Sequence, residues 1–222
     1  MIHLGSIGKT SIDLDFSFLI LVGFFVLTFY DRSQGIQYAL LWIPVLFLSI
    51  GLHELAHAAA IALFGYGASH IVLAGMGGAT MNKRNARPWH DMLISAAGPG
   101  ASFLLAWLTA MVRWRVPLAS QDPMLVAFLP LLQNANLWWG VFNLIPVSPL
   151  DGGHVVRNFF RMFLTERNAF AVSVWIAIVV GTMITAFGIY IRYVFLAILV
   201  GWYVFTNFQQ WQYFRKHGFP GD

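Results

Sequence analysis

The chain has 222 residues, of which 59% are hydrophobic and only 10% charged, with 20 Phe, 9 Trp and no Cys. A soluble domain carries about 25% charged residues, so this composition excludes one, and the absence of cysteine excludes disulfides, CxxC redox chemistry and thiolate metal sites. The formal net charge of +4 does not point to nucleic acid, because the basic residues stand at the ends of apolar runs and form no stripe.

Charged residues divide the chain into long uncharged stretches. At about 20 apolar residues per bilayer crossing, these predict an all-α polytopic membrane protein with about six transmembrane helices. A first span over Phe16 to Tyr30 follows Asp13 and Asp15, an acidic approach unlike the basic leader of a cleaved signal peptide, so it is read as retained. A second runs from about Ile36 to Phe64, is expected to kink at Pro44, and holds His53, Glu54 and His57 in its apolar sequence. Residues 65–82 contain five glycines, which suits a short re-entrant or hairpin segment. Such backbone survives at membrane depth only beside protein or water.

Four further spans are expected near Met92 to Val112, Leu125 to Ile145, Asn168 to Phe187 and Tyr193 to Phe214, the last two joined by a tight turn around Gly188 and Arg192. On this map Lys9, Lys83, Arg84, Arg87, Arg157, Arg161, Arg167, Arg215 and Lys216 share one side, against Arg32, Arg113, Arg115 and Arg192 on the other. That bias predicts both termini cytoplasmic, and the protein is expected to be a multi-pass protein of the cell (inner) membrane. The six spans use nearly all of residues 1–222, which therefore read as a single membrane domain with its catalytic core over about 36–155.

The chemistry concentrates in His53-Glu54-Leu55-Ala56-His57. Residues four apart share a helix face, so both imidazoles can reach one metal ion while Glu54 flanks the remaining coordination position. Shuffling a chain with 7 His and 2 Glu yields HExxH in about 0.2% of cases. A carboxylate inside an apolar span is also costly unless it has a function. Imidazole and oxygen donors fit one Zn2+ per chain, with three protein ligands and an open position for water. Glu54 is then the general base that takes the proton from that water.

The third ligand must come from elsewhere. Asp151 closes the apolar run FNLIPVSPLDGGH, in which Pro146 and Pro149 prevent regular helix and Gly152 and Gly153 permit tight turns. From its position alone, Asp151 reads equally as a ligand and as a cap for the helix that follows.

The pair HELAH (His53 to His57) and NLIPVSPLDGGH (Asn143 to His154) resembles the motif pair of the site-2 proteases, a family of intramembrane zinc metalloproteases. The resemblance covers spans two to four and the segment after them. It implies that His53, His57 and Asp151 bind zinc and that Glu54 is the catalytic base. It also implies that Asn143 helps stabilise the oxyanion or holds substrate, although by its chemistry alone this amide could be a polar contact between spans. His154 has no ligand role in the family. AAGPGAS (Ala96 to Ser102) resembles the AGPxxN stretch of the family's third core span, with Ser102 where asparagine is usual. IVLAGMGGAT (Ile71 to Thr80) resembles the hairpin thought to receive substrate as an added strand, which makes Gly77 and Gly78 candidate substrate-binding residues. The same glycines also suit a plain surface loop.

The function implied is endoproteolytic cleavage of transmembrane segments of other membrane proteins, in regulated intramembrane proteolysis. Partners are then transmembrane substrates and the lipid bilayer, with no nucleic acid. The resemblance is to a compact form without the PDZ or CBS domain of many relatives, so substrate selection falls to the membrane domain or to a regulatory membrane partner. Two other classes fit the residues: a metal transporter, and a non-proteolytic homologue that binds membrane helices. Transport favours polar sites relayed along a path, whereas these residues cluster.

Overall fold

The computed structural model describes residues 1–33, 35–75, 77–82, 86–115 and 122–218. Lys83 and Arg84, two of the residues in the charge count, lie outside them. In chain order the elements are β1 (Ile2–Ile7), β2 (Thr10–Leu14), α1 (Phe16–Thr28), α2 (Ile36–Leu40), α3 (Trp42–Leu63), β3 (Ser69–Ala74), β4 (Gly77–Met81), α4 (Pro88–Arg115), α5 (Pro123–Asn143), α6 (Asp151–Arg161), α7 (Glu166–Tyr190) and α8 (Val194–His217). Among the described residues, four helical segments are long and apolar enough to cross a membrane: Ile36–Leu63, Pro88–Arg115, Pro123–Asn143 and Glu166–Tyr190. The first expected span, α1, is apolar but only 13 residues long. The last, α8, carries Asn207, Gln209, Gln210 and Gln212, which lower its hydropathy.

The all-α expectation needs one correction, a four-stranded sheet in the order β1-β2-β3-β4. The glycine-rich segment forms the antiparallel hairpin β3–β4, in register from His70↔Met81 to Ala74↔Gly77. The unexpected part is β1–β2, whose second strand pairs in parallel with β3 from Thr10↔Ser69 to Leu14↔Leu73. Asp13 therefore sits in a strand and not in a terminal loop, where both His3 and His70 contact it, at 2.7 and 2.9 Å. Asp15 caps α1 by accepting from the Ser17 N–H at 2.9 Å. Its carboxyl is held below the usual range by the Ser17 hydroxyl and then the Ser17 amide, both of which bond the charged form.

Near Pro44 the helix is interrupted at Leu41, between α2 and α3. Pro44 lies in the first turn of α3, where a missing N–H costs little. The carbonyl it cannot serve belongs to Leu40, the last residue of α2.

The chain divides into two compact units, Met1–Asn85 with Ala97–Val141, and Ala86–Ala96 with Phe142–Asp222. In the first, Phe18, Trp42, Val45, Ile50, Ile71, Leu73 and Leu132 form one buried cluster, so α1, α3, β3 and α5 share a core. In the second, Val147, Leu150, Ala177 and Tyr203 form another, which seats the 144–150 loop on α7 and α8. Arg161 links Asp91 at 3.7 Å to Glu166 at 2.6 Å in the same unit. The turn between α7 and α8 places its one left-handed residue at Arg192, φ 60°. Gly188 is helical instead, and a Cβ there would lie 3.2 Å from the Ala197 backbone nitrogen, so its small size serves the close return of α8.

Candidate metal centre and catalytic site

Helix α3 is apolar throughout and buries one face, and on that face lie Ser49, His53, Glu54 and His57. His53, Glu54 and His57 are 2%, 4% and 7% exposed, so all three ionisable groups are withdrawn from bulk solvent. The helical repeat brings the two imidazole Nε2 atoms to 3.2 Å from each other. Two nitrogens each about 2.0–2.1 Å from a tetrahedral zinc would be about 3.3 Å apart. The donor pair therefore has the separation that a shared zinc ion requires.

Two further features of the same unit support that fit. Gly98, in α4, faces the imidazoles so closely that a Cβ would stand 2.2 Å from His57 Nε2 and 2.6 Å from His53 Nε2. Its missing side chain keeps that space open. Ser102, one turn further along α4 and 1% exposed, places its hydroxyl 3.0 Å from His53 Nδ1. With Nε2 committed to a metal, Nδ1 carries the proton, and the Ser102 oxygen accepts it. The serine that departs from the family's asparagine thus has a defined place beside the site.

Glu54 points toward the hairpin. The Thr80 hydroxyl lies 2.7 Å from Glu54 Oε2 and 3.1 Å from the Glu54 backbone oxygen. A Cβ on Gly78 would come within 2.3 Å of Glu54 Cγ. Gly77, at φ 120°, tolerates a backbone that other residues rarely adopt, and a Cβ there would lie 2.8 Å from the Trp139 ring. Gly77 and Gly78 therefore serve close approach of β4 to α3 and α5.

Asn143 is the last residue of α5 and is half-buried. The chain then folds irregularly through Pro146 and Pro149, with short backbone bonds from Val147 N–H to Ile145 O, 2.7 Å, and from Leu150 N–H to Val147 O, 2.9 Å. Asp151 opens α6, but Leu150 holds the N-cap position, so Asp151 is not the cap. Gly152 and Gly153 are helical and turn nothing. A Cβ on Gly152 would meet Leu144 O at 2.2 Å, and one on Gly153 would meet Ser148 N at 2.6 Å. They let the loop lie directly on the helix. His154 lines a small polar cavity with Ser148, Arg157, Ser173 and Asn207.

The sequence alone assigns no role to the Thr80 hydroxyl and contains Gly98 only as part of the AAGPGAS run. The AGPG run was the visible signal for Gly98, whereas nothing local marks Thr80.

The model of peptidase family M50 matches residues 118–188. A putative zinc metalloprotease of Synechocystis sp. is 29% identical over 176 residues, covering 73% of this chain and 44% of its own length. A zinc metalloprotease of Methanocaldococcus jannaschii is 32% identical over 149 residues, covering 67% of this chain and 41% of its own. The chain thus spans less than half the length of these curated relatives. Among solved structures, a site-2 protease from Methanocaldococcus jannaschii shares the fold, with a TM-score of 0.66, 24% identity and 94% of each chain covered.

Proposed function

We propose, on the premise that this chain belongs to peptidase family M50, that it is an intramembrane zinc endopeptidase cleaving transmembrane segments of other membrane proteins. The observation that carries the reading is the 3.2 Å convergence of His53 and His57 Nε2 beside the carboxylate of Glu54.

His53, His57 and Asp151 are the zinc ligands, two imidazoles and one carboxylate, a donor set that leaves a coordination position open. Zinc held there would supply a Lewis acid able to lower the pKa of water toward roughly 7. Glu54 is the general base that would take a proton from water and pass it to the leaving amine. Ser102 keeps the His53 ring in the tautomer that presents Nε2. Asn143 offers a side-chain amide to the negative charge that develops on the carbonyl oxygen. The β4 strand, outermost in the sheet among the described residues, receives the unwound substrate as an added strand, with Gly77 and Gly78 at the point of closest approach. Unwinding a membrane helix frees backbone groups that lipid cannot satisfy, and a strand edge replaces those bonds.

The protein is a multi-pass component of the cell (inner) membrane with both termini cytoplasmic. Its six spans are α1, α2 with α3, α4, α5, α7 and α8, in one catalytic domain whose core is about 36–155. The test is metal content and cleavage measured on the same preparation. Glu54→Gln should keep zinc and lose cleavage, while Asp151→Ala should lose both. Cleavage that survives Glu54→Gln contradicts the reading, and zinc flux into liposomes without cleavage would replace it with transport.

A further inference from the structure

Strand β4 lies across the catalytic carboxylate with a defined face. Successive side chains of a strand point to opposite sides, and in β4 Gly78 and Thr80 are half-buried while Ala79 and Met81 are exposed. Both half-buried residues address Glu54. Gly78 comes so close that any Cβ would overlap Glu54 Cγ, Cδ and Oε1 at 2.3 to 2.6 Å. Two positions on, the Thr80 hydroxyl shares its one proton between Glu54 Oε2, at 2.7 Å, and the Glu54 backbone oxygen, at 3.1 Å.

We infer that Thr80 is the positioning residue for Glu54, holding the base's carboxylate at a fixed point and fastening the β4 strand to it. This rests on the protease reading. A glutamate has three side-chain torsions, and a base must sit within about 0.5 Å of its working position. Gly78 limits where the chain of Glu54 can go but cannot orient its oxygens. The Thr80 hydroxyl orients them, engaging Oε2 and leaving Oε1 to take a proton. The second acceptor, the Glu54 carbonyl, ties the same hydroxyl to the helix backbone, so helix, base and strand move together. Because β4 is also the strand given to substrate, its docking and the placement of the base are set by one side chain.

The test uses the full chain with zinc in lipid nanodiscs, comparing wild type, Thr80→Val, Thr80→Ser and Glu54→Ala, with the double variant Thr80→Val/Glu54→Ala. Three quantities are read: zinc per chain, kcat and KM on a cleaved single-span substrate, and amide hydrogen exchange across residues 77–81. Thr80→Val keeps the shape and removes the donor. It should leave zinc at one per chain and lower kcat roughly 10- to 100-fold, as loss of a partner that orients a working group does, with little change in KM. Thr80→Ser restores the donor and should recover most of kcat. Exchange in β4 should accelerate in Thr80→Val and in Glu54→Ala, with no further acceleration in the double variant.

Wild-type kcat in Thr80→Val overturns the proposal. So does a Thr80→Ser as slow as Thr80→Val, since shape and not the hydroxyl would then be what matters. If no substrate is cleaved by wild type, the protease reading fails by itself, and the exchange cycle still decides the Thr80–Glu54 link: additive effects reject it.

Discussion

The hydroxyl of Ser102, on α4, lies 3.0 Å from Nδ1 of His53, on α3, and both residues are almost fully buried. This contact orders the proposed metal ligand from behind. A ligating imidazole turns one nitrogen to the ion, and the bond made by the other fixes ring orientation and tautomer. Ser102→Ala removes that bond. Zinc affinity should fall roughly 10- to 100-fold, measured by competition with a chromophoric chelator. An unchanged affinity would show that the contact does not orient the ring.

Gly98 gives a sharper separation of folding from metal binding. Alanine is favoured over glycine in a helix interior by about 1 kcal/mol, so Gly98→Ala should leave helical content intact by circular dichroism. Its methyl would stand 2.2 Å from His57 Nε2 and 2.6 Å from His53 Nε2. Zinc content should drop to a small fraction of one per chain. Full zinc occupancy in this variant would mean that the imidazoles point elsewhere.

Gly152 tests the packing of the second motif. A methyl there meets the Leu144 carbonyl at 2.2 Å, a contact with backbone that cannot rotate away. Gly152→Ala should destabilise the protein by about 1–3 kcal/mol, the usual cost of overpacking. Gly201→Ala, where the nearest atom would be 3.5 Å away, should be tolerated. Thermal unfolding in nanodiscs compares them, and equal midpoints would refute the tight seating of the loop.

The sheet carries a pH dependence with a definite sign. The Asp13 carboxyl is held below its ordinary value of 3.8, first by the hydrogen bond from His3, then by that from His70. The folded protein therefore takes up this proton less readily than the unfolded chain. The stabilising contribution is complete above the ordinary carboxylate value and is lost as pH falls through the lowered, folded value. Protection of the β2 amides, taken as exchange relative to the intrinsic rate at each pH, should fall in that window, and Asp13→Asn should flatten the profile. A profile identical to that of Asp13→Asn would contradict the assignment.

The sequence revealed α3, α4, α5, α7 and α8 because their long uncharged runs are bounded by charges that lipid excludes. It also revealed the His53, Glu54 and His57 face, since a four-residue spacing fixes geometry within one helix. The β1–β2 pair escaped, although Ser11, Ile12, Asp13 and Leu14 alternate as strand residues do. Its own pairing is local, Ile7 opposite Thr10 across Gly8 and Lys9, but both strands are short, and the bonds that tie β2 to β3, more than fifty residues away, follow no local pattern. Ser102 stood out only as a departure from the asparagine of the AGPxxN stretch, because its contact with His53, like that of Thr80 with Glu54, is made only when the chain has folded. Gly152 and Gly153 were noticed but for the wrong reason. Glycine in a sequence signals either free backbone or close approach, and only the 2.2 Å and 2.6 Å distances decide between them.

The central claim is best tested by mass-spectrometric detection of cleavage in a panel of single-span membrane substrates. Wild type, Glu54→Gln and chelator-treated wild type would be run in parallel, with zinc assayed in each. The account predicts cuts within the spans for zinc-loaded wild type only, with Glu54→Gln inactive at full zinc content. Cuts that persist in Glu54→Gln or under chelation would contradict it, as would a wild-type protein that binds no zinc.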